Sequence, residues 1–420
     1  QLNNVAPIYP AFIRDEQGNI ITDENGQMFD YGNGAVIGLR RPMLPNINPL
    51  QENALNTNSS KVNMYSLHGY ANIMPLEGLK LTLNGTVTVN NSRATETKQP
   101  FYGYSHTAYP TGVVTRTSDQ TYSYNFQQLV NYNHDFGHHH MELLLGHEFY
   151  RYSYENLWGS KLGMASYFTN QTLAGAIKLD STGESGNGEY ESEGFFFRGQ
   201  YDYDQKYFAS LSFRRDASSR FAPDHRWGNF WSLSGAWDVA KESFMKPYRW
   251  VDLLKVKASF GQQGNDDIGN DYAYLNQYKL TGANSSLSDA DLTYKGNKDL
   301  TWEKSNSFNV GVDFSLWNGK LAGSVEFFNR QTTDMLYNKP VALSNGYATM
   351  PMNIGSMRNS GVEIDLNSVV LHNSHLKWTV AANATFLSNK ILKLHPDFAK
   401  DGIKNGSRLY QEGQNMFQLN

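Results

Sequence analysis

Cysteine is absent from the 420 residues of this sequence. Its absence excludes a disulfide framework, a thiolate metal site and a cysteine nucleophile. The chain also has no stretch that approaches the roughly 18 consecutive apolar residues of a membrane-spanning helix. Its first residues show no charged segment followed by an apolar one, so we expect any export signal to lie outside this chain. Because both ends read as loop interiors, we expect the chain to be a fragment of a longer protein.

An excess of charge of one sign is also missing. The chain carries 36 basic and 40 acidic residues, a formal net charge of −4, which gives no strong field for nucleic acid or acidic lipids. Because domains usually have roughly 100–200 residues, a chain of this length would ordinarily be expected to contain two or three of them. However, no linker rich in proline or serine divides the sequence. We therefore interpret the chain as one continuous architecture that does not bind nucleic acid.

Strict alternation of apolar and polar residues is the strongest pattern that is present. From Leu79 to Asn90, leucine, glycine or valine occupies every odd position, and lysine, threonine or asparagine every even one. A period of two places one class of residue on each face of a β-strand. Four further segments show it clearly: 308–316, 321–328, 362–367 and 377–386. Seven show it more weakly: 64–74, 121–134, 139–152, 194–203, 206–216, 229–238 and 254–261. The pattern predicts about twelve strands, many with the ~10 residues of a tilted membrane strand.

The predicted connections alternate in length along the chain. Short connections fall at Pro75–Gly78, Asp135–His138, Asp204–Gln205, Asn318–Gly319 and His372–Ser374. Long connections fall at 92–120, 153–192, 217–228, 262–302 and 334–356. Ala240–Leu253 is intermediate in length, and its Lys241–Met245 segment favours a helical turn. Soluble sandwiches and propellers have no reason to place every long loop on one side, whereas outer-membrane barrels have short periplasmic turns and long extracellular loops.

These patterns predict an all-β fold, a transmembrane antiparallel β-barrel in the cell outer membrane. Charged residues such as Lys80, Arg198 and Glu326 would be costly against lipid but are acceptable around a wet lumen. Because open strand edges cannot persist in hydrocarbon, about twelve strands need further strands for closure. We expect three segments: 1–60 as an extracellular loop region, 61–390 as barrel strands with their loops, and 391–420 as the start of another extracellular loop.

Four segments resemble the SusC/RagA family of TonB-dependent transporters of Bacteroidetes in sequence, order and spacing. They are Arg214–Phe221, Gly261–Asn265, Leu300–Ser305 and Asn353–Ile364, and together they cover roughly residues 190–395. One departure is Ala217, where the family usually has glycine, so we expect this loop to be built differently. We expect structural roles for the matching residues, which are Arg214, Asp216, Ser218, Ser219, Arg220, Phe221, Gly264, Asn265, Trp302, Glu303, Asn353, Gly355, Asn359, Gly361 and Glu363.

The resemblance implies a barrel of about twenty-two strands with an N-terminal plug domain, which has no counterpart in this chain. It implies active import of oligosaccharides or peptides across the outer membrane, with energy from TonB, ExbB and ExbD. A SusD-like surface lipoprotein would act as a lid, and pairs of transporter and lid would form dimers. This mechanism involves binding and conformational work, with no cofactor and no catalytic residue.

Three groups of residues suggest site chemistry, and each has an ordinary alternative. His138–His140 could bind a metal, but adjacent side chains on a strand point to opposite faces, which favours a polar turn. Asp266–Asp271 offers oxygen ligands of the kind calcium takes but lacks the EF-hand spacing, which favours a loop turn over a cation site. Arg214, Asp216 and Arg220 are interpreted as one ion-pair cluster, either a structural clasp or a ligand contact.

Aromatic side chains on the long loops are candidates for substrate contact, because such rings offer large flat surfaces for stacking. By position these are Trp158, Tyr167, Phe168, Tyr272, Tyr274 and Tyr278, and packing inside the loops is the alternative for each. An adhesin or scaffold barrel without transport is a second possible function, and an outer-membrane enzyme is a third. The enzyme interpretation is disfavoured because the sequence has no Gly-x-Ser-x-Gly nucleophile elbow.

Overall fold

Antiparallel β-strands make up most of the chain in the computed structural model, which describes residues 10–24, 26–32, 48–280, 290–405 and 408–417. In chain order the helices and strands are β1 (Thr22–Asp23), β2 (Gly26–Gln27), α1 (Pro49–Leu55), β3 (Asn58–Leu76), β4 (Leu79–Lys98), α2 (Gly103–Ala108), β5 (Val113–Phe136), β6 (His139–Met164), β7 (Ala176–Tyr203), β8 (Tyr207–Ser218), β9 (Trp227–Asp238), β10 (Val251–Asn265), β11 (Gln277–Leu280), β12 (Ala290–Tyr294), β13 (Glu303–Leu316), β14 (Leu321–Thr333), β15 (Leu336–Pro340), β16 (Thr349–Asn353), β17 (Ser356–His372), β18 (Lys377–Lys393), β19 (Ile403–Asn405) and β20 (Arg408–Tyr410).

Twelve of these strands form one sheet. Their order is β18-β17-β14-β13-β10-β9-β8-β7-β6-β5-β4-β3, so each of the twelve pairs with the next of the twelve along the chain. The other strands form two-stranded hairpins: β1 with β2, β11 with β12, β15 with β16, and β19 with β20. The predicted fold class, an antiparallel all-β architecture with about twelve barrel strands, is confirmed. Within the described residues, the end strands β3 and β18 do not pair with each other.

Several strands extend further than the alternation predicts. Residues 92–98 and 113–120, predicted as loop, belong to β4 and β5, and residues 153–164 and 176–192 belong to β6 and β7. These predicted limits are wrong for a physical reason. Thr115–Gln120 is polar at every position, so it shows no period of two, although backbone hydrogen bonds between strands continue without any such pattern.

The short connections lie where the sequence places them, and two of them put residues other than glycine in the left-handed region. Asp204 and Gln205 have φ of 56° and 51°, and Trp317 and Asn318 both have 56°. Type I′ turns have positive φ at both central residues, and their backbone twist matches that of the flanking strands. The intermediate connection contains two 3₁₀ turns, Val239–Lys241 and Ser243–Met245, so the predicted helical turn is confirmed.

The two faces of the sheet differ in chemistry across β9, β10, β13 and β14. On one face Phe260 lies opposite Leu233 and Phe308, and Val310 lies opposite Phe327. These five side chains remain 38–55% exposed. The other face is polar: it carries the pairs Ser259–Ser234 and Ser259–Asn309, and Lys257 Nζ lies 3.0 Å from Asp313 and 3.1 Å from Glu326.

The chain divides into two compact units. Unit 1 comprises Gln1–Leu67, Val87–Ser123 and Tyr152–Glu189, and unit 2 comprises His68–Thr86, Tyr124–Arg151 and Tyr190–Asn420. In unit 2 buried apolar residues form two clusters, which combine loop residues with residues near strand ends. The first contains Phe221, Phe230, Ala273, Leu300 and Trp302, and the second contains Ile391, Leu394 and Ile403. The apolar face of the sheet therefore contributes little to either core.

Helix α1 lies in unit 1, and its first residues stabilise its N-terminal end. Asn48 caps it, because its side-chain oxygen accepts from the backbone N–H of Leu50 at 3.1 Å and of Gln51 at 3.3 Å. Pro49 at the first position has φ suited to the helix. None of the described helices has the length and apolar character needed to cross a membrane.

The assignment of the flanking segments as extracellular stays a prediction. The described barrel strands begin at Asn58 in β3 and end at Lys393 in β18, close to the expected limits of 61–390. Parts of the two flanking segments, residues 1–9, 25, 33–47, 406–407 and 418–420, lie outside the described residues.

Candidate functional site

Arg220 is the centre of a charged cluster in the loop after β8. Its Nε donates to Asp271 Oδ1 at 2.9 Å, its Nη1 lies 3.4 Å from an oxygen of Asp266 and of Asp267, and its guanidinium carbon lies 4.4 Å from the centre of the Tyr190 ring. Burial by itself would lower the Arg220 pKa, but the Asp271 hydrogen bond and the aspartate charges raise it above its ordinary value. Asp266, Asp267 and Asp271 belong to the segment that the sequence analysis considered as a cation site. In the structure the Arg220 guanidinium supplies the positive charge next to these carboxylates.

Ser218 and Ser219 hold the start of this loop. Ser218 Oγ donates to Asp266 Oδ2 at 2.6 Å, and Tyr190 OH donates to the same oxygen at 2.9 Å. The Ser219 N–H donates to the carbonyl of Glu191 at 2.9 Å, and Ser219 Oγ accepts from the Glu191 N–H at the same distance. These bonds leave the other oxygen of Asp266 to face Arg220.

Replacing Arg220 with glutamine is expected to lower the free energy of unfolding by about 2–4 kcal/mol, because partly buried aspartates lose their cation. Arg220→Lys is the control: it keeps the charge but loses the planar fork, so it should recover only part of the loss. Urea unfolding of the intact protein measures both variants. Wild-type stability of Arg220→Gln would contradict the role assigned to the guanidinium.

Arg214 and Asp216, expected to share a cluster with Arg220, form a separate ion pair. Arg214 Nε lies 2.6 and 2.8 Å from the two oxygens of Asp216, and its Nη2 lies 3.2 Å from Glu148 Oε2. Its guanidinium carbon is 5.1 Å from the centre of the Phe196 ring. The single cluster of the sequence interpretation is therefore two clusters, because Arg214 and Asp216 belong to β8 and Arg220 lies beyond its end.

Trp302 packs against aromatic residues from another sequence segment. Its ring centre lies 5.5 Å from that of Phe221 and 5.4 Å from that of Phe230, and Leu300 completes the contact as a fully buried side chain. Trp302 Nε1 donates to the carbonyl of Arg226 at 2.8 Å, and Arg226 Nε donates to the carbonyl of Phe221 at 3.1 Å. The loop after β8 and the start of β13 therefore share one core.

Gly264, Asn265 and Glu303 lie beside this core. A Cβ on Gly264 would lie 2.1 Å from Cζ of Phe230, so glycine allows the ring to approach the backbone. Asn265 Nδ2 donates to Glu303 Oε1 at 3.4 Å, and Glu303 Oε2 accepts from the N–H of Leu336 at 3.0 Å. Glu303 thus connects the end of β10 to the β15–β16 hairpin.

Asn353 holds the same end of that hairpin, where it lies opposite Leu336. Its Oδ1 accepts from the N–H of Thr301, and its Nδ2 donates to the carbonyls of Thr301 and Asp334, each at 2.8 Å. Gly355 follows with φ of 79° and permits the left-handed turn into β17. Three of the family motifs therefore meet: the Asn265–Glu303 bond joins two of them, and the Asn353–Thr301 bonds add the third.

The remaining motif residues lie along β17. Asn359 Oδ1 accepts from Asn389 Nδ2 at 2.6 Å. Gly361 lies opposite Phe328 and Leu387 on its two neighbouring strands, and Glu363 lies opposite Glu326. The contacts of the motif residues fit the structural roles expected for them, and those roles stay predictions.

Three of the aromatic candidates for substrate contact lie in unit 1. Tyr167 is 5% exposed, and its hydroxyl donates to the carbonyl of Leu55 at 2.6 Å, so this ring packs the loop. Phe168 is exposed and stacks on Phe101 with 5.5 Å between ring centres. Trp158 is half-buried and lies directly over Gly183, where a Cβ would meet its Nε1 at 2.3 Å.

The other three candidates lie in unit 2, on the loop after β10. Tyr272 and Tyr274 are half-buried, and Tyr278 is exposed on β11. Exposed rings such as Tyr278 remain available for stacking, whereas half-buried rings offer only part of their surface. Substrate contact by these residues stays a prediction.

A cavity of about 760 Å³ in unit 1 brings together residues that the sequence analysis did not select. Its lining includes Glu52, Asn53 and Asn58 from the α1 region, and Tyr104 and Tyr109 from the α2 region. Its size is within the usual range for ligand pockets, roughly 300–1,000 Å³. No pattern in the sequence indicates it, because its two sides come from distant segments without a shared periodicity.

The three consecutive histidines have three different partners. His138 Nδ1 lies 3.2 Å from Asp204 Oδ1, His139 Nδ1 lies 2.6 Å from the hydroxyl of Tyr201, and His140 pairs with Asp135. His139 and His140 are adjacent on β6, where alternation directs their side chains to opposite faces. Among the described residues, no group of three histidine, aspartate or glutamate side chains is arranged to hold a metal ion.

Comparison with known proteins relates the whole described chain to one family. Residues 11–416 match the profile of the family described as TonB dependent receptor-like, beta-barrel. A TonB-dependent receptor of Formosa agariphila is 31% identical over 298 residues, which are 70% of this chain and 28% of that protein. The TonB-dependent receptor SusC of Bacteroides thetaiotaomicron is 32% identical over 207 residues, which are 48% of this chain and 21% of that protein.

A solved structure gives the same relationship in three dimensions. The structure of the RagAB peptide transporter superposes with a TM-score of 0.83 and 26% identity, covering 93% of this chain and 42% of that one. The chain therefore spans less than half the length of each of these relatives.

Proposed function

The chain belongs to the TonB-dependent receptor-like β-barrel family of outer-membrane proteins, and on this premise we propose that it forms part of the wall of a SusC/RagA-type active importer. The cargo would be oligosaccharides or peptides. A SusD-like lipoprotein would cover the extracellular side as a lid, and TonB, ExbB and ExbD would supply energy through parts of the protein outside this chain.

The two faces of the twelve-stranded sheet carry this proposal. In an outer-membrane protein the exposed apolar face, with residues such as Phe260 and Val310, is suited to lipid. The opposite face places Lys257 between Asp313 and Glu326, and charged groups in that position need a wet lumen. A polar lumen is what a hydrophilic cargo requires.

Aromatic rings at the short-turn ends of the strands support the same orientation. Trp250 and Trp317 stack with 5.6 Å between ring centres, and Tyr207 and Trp237 stack with 6.4 Å. Tryptophan and tyrosine are enriched at membrane–water interfaces because their rings are apolar at one end and polar at the other. These rings would mark the periplasmic interface, with the long loops on the extracellular side.

In this mechanism the lid closes over captured cargo, and force on the plug opens a passage through the barrel. The residues of this chain bind cargo and keep the wall rigid while the plug moves. The Arg220 cluster and the Trp302 core tie the long loops to the ends of β8, β10 and β13, which would preserve the geometry of the opening. No covalent step is involved.

Deleting the gene for the full-length protein is expected to abolish uptake of the cargo that copurifies with the complex. Deleting TonB should abolish it equally, because both changes remove the driven step. Uptake of labelled cargo measures this, and mass spectrometry of the intact complex identifies the cargo and tests for a lipoprotein lid and for dimers of transporter–lid pairs. Undiminished uptake in both strains, with lost surface attachment, would favour an adhesin or scaffold barrel instead.

A further inference from the structure

A second cavity, of about 710 Å³, lies in unit 2 on the polar face of the sheet over β8, β9, β10, β13 and β14. Most of the polar side chains that line it are short hydroxyl or amide groups: Ser212, Ser232, Ser234, Ser259, Gln262, Gln263, Ser307 and Asn309. Ser212 and Ser232 are themselves hydrogen-bonded at 2.6 Å. Short side chains leave open space above the sheet, and their hydroxyls and amides can donate or accept hydrogen bonds.

Two arginines line this cavity, and they differ in their partners. Arg214 is held by Asp216 through two bonds of 2.6 and 2.8 Å and by Glu148 at 3.2 Å, so its charge is compensated. Arg330 Nε donates only to Ser307 Oγ, at 3.2 Å. Among the residues that the structure describes, no carboxylate forms an ion pair with Arg330.

The nearest carboxylates along the same face of β14 and β17 are well separated from Arg330. Arg330 lies opposite Asn359, and Glu326 lies opposite Glu363 four positions further along both strands. At a rise of about 3.3 Å per residue, four positions are about 13 Å. Glu326 is also bound by Lys257 at 3.1 Å. Within the described part of the chain, the charge of Arg330 is therefore uncompensated at the wall of the cavity.

We propose that this cavity binds a carboxylate group of the cargo, with Arg330 as the anion-binding residue. The inference rests on the proposed import function and specifies the chemistry of its cargo. A guanidinium presents a planar fork that matches the two oxygens of a carboxylate. The surrounding serine, asparagine and glutamine side chains would bind the neutral hydroxyl or amide groups next to it. Such a carboxylate is found on uronate-containing oligosaccharides and at the C-terminus of peptides.

Binding by the intact detergent-purified protein to two matched pairs of probes tests the proposal. One pair is tetra-alanine with a free C-terminal carboxylate and tetra-alanine amide. The other is a galacturonate trisaccharide and its methyl ester. Calorimetry is expected to show wild-type protein binding the anionic member of at least one pair about tenfold more tightly than the neutral member. The pair that shows this preference identifies the source of the carboxylate.

Arg330→Gln is expected to remove the preference while leaving binding of the neutral probe unchanged. Arg330→Lys should retain part of the preference, since it keeps the charge. Arg358→Gln is the matched control, because Arg358 lies next to Asn359 on β17 and alternation directs it to the opposite face. It should bind all four probes as wild type does.

Three outcomes would overturn the proposal. The first is a wild-type protein without preference for either anionic probe, and the second is an Arg330→Gln variant that keeps the preference. The third is a variant that binds charged and neutral probes equally weakly and melts at a lower temperature, which would mean that Arg330 serves another segment of the protein. Uptake in the TonB-deleted strain tests import separately, so an anion preference without TonB-dependent uptake would refute only the import function.

Discussion

Replacing Trp302 with alanine is expected to lower the free energy of unfolding by about 3–5 kcal/mol, the usual cost of truncating a buried large aromatic ring. The ring is 8% exposed and packs between Phe221 and Phe230, so its removal leaves a cavity where the long loops meet the strand ends. The carbonyl of Arg226 also loses its donor. Urea unfolding of the intact protein measures the loss, and limited proteolysis should show earlier cleavage in the loop after β8.

Trp302→Phe separates the two contributions. It keeps most of the ring contact and removes the Nε1 donor, so we expect a loss of about 1 kcal/mol, typical of one hydrogen bond. Equal stability of Trp302→Ala and wild type would show that the ring does not hold this core. A Phe variant as unstable as the Ala variant would assign the effect to the bond with Arg226.

Replacing Val310 with arginine is expected to destabilise the folded protein in a bilayer by about 2–4 kcal/mol, the cost of a charge on the lipid face near the membrane midplane. Val310 lies six residues from Leu316 at the short-turn end of β13. Six residues of a strand tilted by about 40° rise about 15 Å, near the middle of an apolar band about 25 Å tall. The folded fraction in lipid vesicles, read from heat-modifiable gel mobility, measures the effect.

Asn309→Arg is the matched control for this change. Asn309 is the adjacent residue and faces the opposite side, where its Nδ2 lies 3.4 Å from Ser259 Oγ. A charge there meets the wet lumen, so we expect much less destabilisation. If both arginine variants fold equally well in vesicles, the assignment of the apolar face to lipid is wrong.

The strands could be predicted because their pattern is local. Residues such as Leu79 to Asn90 alternate since one side of each strand meets lipid and the other meets water, and this constraint acts on every residue separately. The same reasoning explains the errors. Thr115–Gln120 lies in β5 but shows no alternation, so the sequence contains no signal that the strand continues.

The loop residues were less predictable from position alone. Tyr167 is one of the candidates for substrate contact; the structure buries its ring, and its hydroxyl donates to the carbonyl of Leu55. Tyr104, which no pattern indicated, lines a cavity and is 64% exposed. A loop sequence shows that an aromatic ring is present, but burial of the ring depends on segments that lie far away along the chain.

The sequence by itself determined the number of strands, the chemistry of their two faces and the alternation of short and long connections. Only the tertiary structure decided how the charged side chains are paired. It separates Arg220, held by Asp266, Asp267 and Asp271, from Arg214, and among the residues that the structure describes it pairs no carboxylate with Arg330. The physical reason is the sequence distance over which each feature is decided. Whether a residue faces lipid or water depends on its own position along its strand. An ion pair forms only where the fold brings two segments that are far apart in the sequence within about 4 Å of each other.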